Sequence, residues 1–188
     1  SHVDGVIVFD DELNSSDLEV CSNYNVPVIS VNNRIIASKI GCIHFSYEHL
    51  IKQIITDYFN KGDKEMTFLH VHNAGRLLTR IENVFIQTHI ENDREYSIMN
   101  CDDSYQRTYH DFMERFKNKR KEYVIAYRDS IAAAVLNAAS DSGLSIPEDI
   151  EVLSIIGTKY SSIIRPQISN MYIDMQEVGK RAMYMLID

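Results

Sequence analysis

Apolar positions along this chain follow two alternating rhythms. Short, nearly unbroken apolar runs are separated by longer stretches in which apolar residues recur every three or four positions. Val3-Asp4-Gly5-Val6-Ile7-Val8-Phe9 reads as a buried strand. Ser15-Ser16-Asp17 offers N-caps for a helix to about Tyr24. Val26 to Val31 and Gly41 to Phe45 are the next strands. A helix from about Tyr47 to Asn60 gathers Leu50, Ile51, Ile54, Ile55 and Tyr58 on one face, with Gly62 just past its end. The pattern then repeats. Strands are expected at Met66–Val71, Tyr96–Cys101, Tyr123–Tyr127, Glu151–Ile156 and Met171–Ile173. Helices are expected at Arg76–Glu91, from Tyr105 onward, at Ser130–Ser142 and at Gln176–Ile187. Tyr105, Tyr109, Phe112 and Phe116 recur at 4-3-4 spacing, an aromatic stripe that reads as core. Thr158 to Asn170 has no clear period and room for a short helical turn.

Strands alternating with helices imply βαβ units, parallel sheets and an α/β fold. Such sheets bind ligands beyond the carboxyl ends of their strands. The segments to watch are therefore Asp10, Asn32, His70–Asn73, Cys101–Ser104, Tyr127–Asp129 and Gly157–Tyr160.

Composition narrows the function. The 19 Lys and Arg are outnumbered by 27 Asp and Glu, for a net charge of −8. A free-standing DNA-binding module carries a basic face instead. The dense cationic run Lys117-Asn118-Lys119-Arg120-Lys121 ends a helix, where cations suit the dipole. No stretch approaches the roughly 18 apolar residues of a membrane helix, and the N-terminus lacks the order of a signal peptide. Cys21, Cys42 and Cys101 are odd in number and widely spaced, which points to a reducing compartment rather than a disulfide framework.

Direct chemistry is sparse. There is no Gly-rich phosphate loop, no G-x-S-x-G, no H-E-x-x-H and no C-x-x-C. His70 and His72 have the period-2 spacing of a metal pair, but nothing nearby completes a ligand set. Asp10-Asp11-Glu12 and Asp102-Asp103 follow strands, where turns are rich in Asp for structural reasons. The residues alone support an α/β ligand-binding or enzymatic domain, with no decisive catalytic constellation and no cofactor.

Several segments, in order, resemble the LacI/PurR family of regulators. Val3-Asp4-Gly5-Val6-Ile7-Val8 is similar to the family's "VDGIIL" strand and Val26-Pro27-Val28-Ile29 to its "IPVV" strand. Leu144 to Val152 resembles "GLxVPEDISV", the most specific match, and runs into Ile155-Ile156-Gly157, where the family has "VIGFD". Arg165-Pro166-Gln167-Ile168-Ser169 resembles "PxLTT", and Glu177 to Ala182 the helix start "xxGxxA".

The resemblance implies two doubly wound parallel-sheet lobes of the periplasmic-binding-protein-like type with an effector cleft between them. The N-terminal lobe, incomplete in this chain, would hold residues 1–45 and 174–188, and the C-terminal lobe residues 46–173. It also implies that the helix-turn-helix headpiece, the first strands of the N-terminal lobe and a final strand lie outside this sequence. The implied partners are a small-molecule effector, operator DNA through that headpiece, and a second copy in a cytoplasmic homodimer. No enzymatic step is implied.

Carried over residue by residue, the family's effector-contacting arginine falls on Arg80, although the Gly three residues on is here Asn83. The family's "GH" after the second lobe's first helix is Gly62-Asp63. Asp129 matches the acid of an "ND" pair whose Asn is here Arg128, and the Asp of "GFD" is here Lys159. Ser46 and Tyr127 complete the expected effector contacts. Acceptors for sugar hydroxyls have thus become cationic donors, which suit a carboxylate or a phosphate. An anionic effector such as a sugar phosphate is one reading; the other is that Arg128 and Lys159 pair with local acids such as Asp129 or Asp102. A secreted solute receptor of the same fold, or an α/β enzyme using carboxylates after strands, are the rivals.

Overall fold

Long buried strands need a cover on both faces, and the chain supplies it with helices between successive strands. The computed structural model describes residues 3–9, 14, 16–17, 20, 23, 26–32, 40–72 and 74–187. Contacts divide the chain into two units. One comprises Ser1–Tyr47, Gly75–Leu77 and Ile173–Asp188; the other comprises Glu48–Ala74 and Leu78–Tyr172.

The first unit contains strands β1 (Val6–Phe9), β2 (Val28–Val31) and β3 (Ile40–Ile43), parallel and in the order β1-β2-β3. Ile29 and Val31 pack with Val178 and Ala182 of a helix formed by Met175–Ile187. That helix starts where Asp174 Oδ1 accepts from the backbone N–H groups of Gln176 and Glu177, as an N-cap does. The helix expected after Ser15 and the acids Asp10-Asp11-Glu12 fall largely or wholly outside the described residues.

The second unit is built on a five-stranded parallel sheet. Its strands are β4 (Glu65–Val71), β5 (Tyr96–Cys101), β6 (Glu122–Arg128), β7 (Ile150–Ile156) and β8 (Ser169–Asn170), in the order β5-β4-β6-β7-β8. Its helices are α1 (Tyr47–Phe59), α2 (Arg76–Glu91), α3 (Tyr105–Arg115), α4 (Asp129–Asp141) and the short α5 (Lys159–Ile163); the Met175–Ile187 helix of the first unit is α6. Central strands are buried almost throughout, whereas the edge strand β5 alternates in exposure. The Ala-rich helix α4 buries Ala132, Ala133, Ala134, Ala138 and Ala139, and these small side chains let it settle closely on the sheet. The α/β architecture of parallel sheets expected from the alternating rhythms is the one observed.

Two expectations need correction. The strand expected at Met171–Ile173 is instead the two-residue β8, paired with Leu153 and Ser154. Met171 donates one further hydrogen bond to the Ser154 carbonyl and is buried, but Tyr172 is exposed and the ladder stops. The aromatic stripe is core for Phe112 and Phe116, partly so for Tyr109, which packs against their cluster, and exposed at Tyr105. Phe112 and Phe116 are buried, with ring centroids 5.2 Å apart. Tyr105 and Tyr109 stack nearly parallel and turn their hydroxyls to α4, where Tyr105 accepts from Asn137 and Tyr109 donates to Asp141. The phenol oxygens explain the split, because a tyrosine needs a polar partner that a Phe does not.

At the amino edge of the sheet, Glu122 is fully buried and held by two arginines. Arg115 Nε lies 2.9 Å and 3.0 Å from the two carboxylate oxygens, and Arg120 Nε 2.6 Å from one of them. Arg120 also reaches Glu65 at 2.7 Å, and Lys117 pairs with Glu114. Much of the cationic run is therefore engaged locally. Replacing Glu122 by Ala leaves arginine charge without its carboxylate in a desolvated place. Urea denaturation is expected to show a loss of about 3 kcal/mol, with Glu122→Gln less damaging.

His89 of α2 is fully buried among the rings of Phe59, Phe85 and Tyr96, and its Nδ1 donates to the Phe85 carbonyl at 2.7 Å. Burial lowers its pKa below the ordinary histidine value of 6.5. The unfolded chain then binds a proton that the native state refuses, so His89 costs stability as pH falls below that ordinary value and costs nothing above it. Thermal melts from about pH 7 to about pH 5 are expected to slope downward, and His89→Gln should flatten part of that slope even though it lowers the midpoint.

Candidate functional site

The order β5-β4-β6 puts β4, the first strand of its sheet, between its two successors. The crevice at such a reversal, beyond the carboxyl ends of the strands, is where parallel α/β sheets take their ligands. Val71 at the end of β4 pairs with Cys101 of β5. Continuing the β4–β6 register, in which Phe68 pairs with Ile125, brings Arg128 level with Val71.

Arg128 and Asp129 are neighbours with opposite destinations. Arg128 is the N-cap residue of α4, with extended backbone and no side-chain cap. Its Nε donates to Asp103 Oδ1 at 2.7 Å, and its Nη2 closes on Asp103 Oδ2. Asp103 follows β5, so the pair runs from β6 across the end of β4, a span of two strand spacings or roughly 10 Å. The half-buried Tyr127 ring lies beneath the guanidinium, 6.0 Å from its centroid.

Asp129 points into the fold. It is 3% exposed, and its Oδ2 accepts from the Thr158 backbone N–H at 2.8 Å and from the Thr158 hydroxyl at 2.7 Å. The network continues: the Ser161 hydroxyl donates to the Thr158 carbonyl, and Asn170 Nδ2 donates to Ser161 Oγ at 2.7 Å. Gly157 makes this possible, because a Cβ there would fall 2.4 Å from the Asn170 amide carbon. The start of α4, the loop after β7, α5 and the end of β8 are thereby stitched together.

Arg80, on α2, donates from Nε to Glu48 Oε1 at 2.9 Å. His70 Nδ1 meets Glu82 Oε2 at 2.8 Å, and Arg107 pairs with Asp102 at 2.6 Å. Lys159 opens α5, but its side chain lies outside the described residues. Ser46 is exposed and belongs to the other unit. Among the described residues no cluster of three or more His, Cys, Asp or Glu side chains could hold a metal ion. The acids read as structural, Asp102 and Asp103, prove to be partners of arginines, and Thr158 was not foreseen as the partner of Asp129. Strand-end position was their only sequence signal.

At the opposite, amino edge lie hollows of about 360 Å³ and 450 Å³. Tyr58, Gly62 and Lys64 line both, with Lys64 held to Glu151 at 2.5 Å. A Cβ at Gly62 would strike the Tyr58 ring at 2.2 Å, so glycine keeps that ring folded over the turn.

A parallel α/β sheet with a polar, loop-built carboxyl edge is the setting of a ligand-binding domain, and residues 66–188 match the periplasmic binding protein-like domain, a family to which this chain belongs. Within it, the LacI/PurR resemblance read from the sequence holds along the chain. Catabolite control protein A of Staphylococcus xylosus is 23% identical over 188 residues, covering 98% of this chain and 56% of its own length. A PurR family transcriptional regulator from Vibrio parahaemolyticus superposes with a TM-score of 0.81 at 18% identity, covering 98% of this chain and 71% of that one. The LacI family transcriptional regulator of Arthrobacter sp. FB24 in complex with lactose superposes with a TM-score of 0.74 at 22% identity, covering 98% and 68%. The chain thus spans 56% of the length of this curated relative.

Removing the buried Asp129 carboxylate leaves the Thr158 N–H and hydroxyl without their acceptor and opens a gap at the start of α4. Asp129→Ala is expected to cost about 2 kcal/mol by chemical denaturation and to speed hydrogen exchange in the loop after β7. Unchanged exchange there would contradict the stitching role.

Proposed function

We propose that this chain is the ligand-sensing and dimerisation region of a bacterial LacI-type transcription regulator. It would respond to a small polyhydroxylated effector and pass the response to a helix-turn-helix headpiece outside this sequence. The observation that carries the effector reading is the Arg128–Asp103 pair crossing the end of β4 at the point where strand order reverses. Such a pair offers N–H donors and carboxylate acceptors side by side, the complement of hydroxyls that both donate and accept.

The charge pattern favours a neutral sugar over a sugar phosphate. Arg80 and Arg128 each carry a carboxylate partner, Glu48 and Asp103, so neither presents an uncompensated cation. Lactose in the Arthrobacter regulator is consistent with this class. Effector-contact roles for Arg80, Arg128, Tyr127, Ser46 and Lys159 belong to the proposal, while Asp129 is better understood as holding the loop that carries Thr158 and Lys159.

No covalent chemistry is involved. Effector binding favours one arrangement of a homodimer and alters the spacing of its headpieces on two half-sites. Effector and operator affinities are then linked reciprocally. No described helix is long and apolar enough to cross a membrane, and the cytoplasm, where operator DNA resides, is the proposed location.

Calorimetric titration of the full-length protein with lactose, glucose and their phosphorylated forms tests this reading. Saturable binding of a neutral sugar is expected, weakened about tenfold by Arg128→Ala, with a matching change in operator affinity in gel-shift assays. Absence of sugar binding together with absence of DNA binding would refute it.

A further inference from the structure

The Arg128–Asp103 pair carries more than a place for hydroxyls. Asp103 is held by Arg128 and not by the neighbouring Arg107, which pairs with Asp102 at 2.6 Å. The two side chains of the pair are 43% and 37% exposed, so the ion pair stands at the surface of the edge rather than inside the sheet. A surface pair of this kind adds little to stability. Its effect is on charge. A part-exposed guanidinium at this edge, left without its carboxylate partner, would by itself draw in an anion. With Asp103 opposite, an entering phosphate meets a carboxylate before it can take the guanidinium.

We propose that Asp103 is a specificity-determining residue of the carboxyl-edge site. By neutralising Arg128 across the end of β4 it keeps the edge open to uncharged polyols and closed to phosphorylated ones. Discrimination is achieved by placing a repulsive group against the wrong ligand, not by improving contacts to the right one. This inference rests on the sensing role proposed above for its biological meaning, but its physical content concerns anion affinity alone and can be measured without knowing the effector.

The test uses the full-length protein, with inorganic phosphate as probe, read by calorimetry and by the phosphate-dependent rise in melting temperature. Wild type is expected to show no measurable affinity at millimolar phosphate. Asp103→Asn, which keeps the shape and removes the charge, should gain at least about tenfold in phosphate affinity, with a gain that shrinks as salt is raised. Asp103→Glu, which keeps the charge, should show no gain in phosphate affinity, and Asp103→Asn combined with Arg128→Gln should lose the gain. A parallel titration with glucose and glucose 6-phosphate should show the phosphorylated form favoured only in Asp103→Asn. Phosphate binding by wild type equal to that of Asp103→Asn would overturn the proposal. So would a gain that survives in the double variant, or no gain at all. If no neutral sugar binds any variant, the sensing reading falls, while the phosphate result still decides the role of Asp103.

Discussion

Parallel pairing of β4 with both β5 and β6 is the constraint from which the rest of the second unit follows. A parallel strand has to be reached by a crossover, so every strand end at one edge is followed by a loop leading into a helix. Because β4 lies between its two successors, the loops after β5 and β6 part on either side of its end. A long side chain from one of them can then meet an acid from the other only above β4. Arg128 and Asp103 do this. The guanidinium is long enough to cross, planar enough to lie over Tyr127, and matched in geometry to a carboxylate.

The two edges of the sheet use charge differently. At the amino edge, Glu122 is fully buried beneath Arg115 and Arg120, and Lys64 is mostly buried beside Glu151. Desolvated pairs of this kind penalise any rearrangement that parts them. At the carboxyl edge the arginines remain partly in water, where parting them is cheap. Rigidity is concentrated where no ligand is expected, and adjustable charge where one is.

Much of the architecture was legible because it depends on local periodicity. Arg76–Glu91 and Tyr96–Cys101 fall where their apolar spacing puts them, and the remaining described central strands and helices agree to within a residue or two. What was hidden depends on tertiary contact. Nothing in the order of residues says that Arg128 meets Asp103 rather than Asp102, since both acids follow the same strand and only the fold separates their directions. The short β8 was misplaced because Met171-Tyr172-Ile173 looks more strand-like than Ser169-Asn170. The actual pairing is set by Asn170 fitting against Gly157 and Ser161. The resemblance brought Asp129 forward as an effector contact, but only the position of Thr158, 29 residues away, reveals which way its carboxylate turns.

Adjacent positions 128 and 129 divide two duties at a single helix start. The buried member anchors the loop after β7, and the half-exposed member reaches across the end of β4. A lineage could therefore exchange residue 128 and its partner after β5 to suit a new metabolite without first acquiring a compensating stabiliser elsewhere. Such a junction gives natural variation, or a protein engineer, a place to retune preference while the scaffold stays as it is.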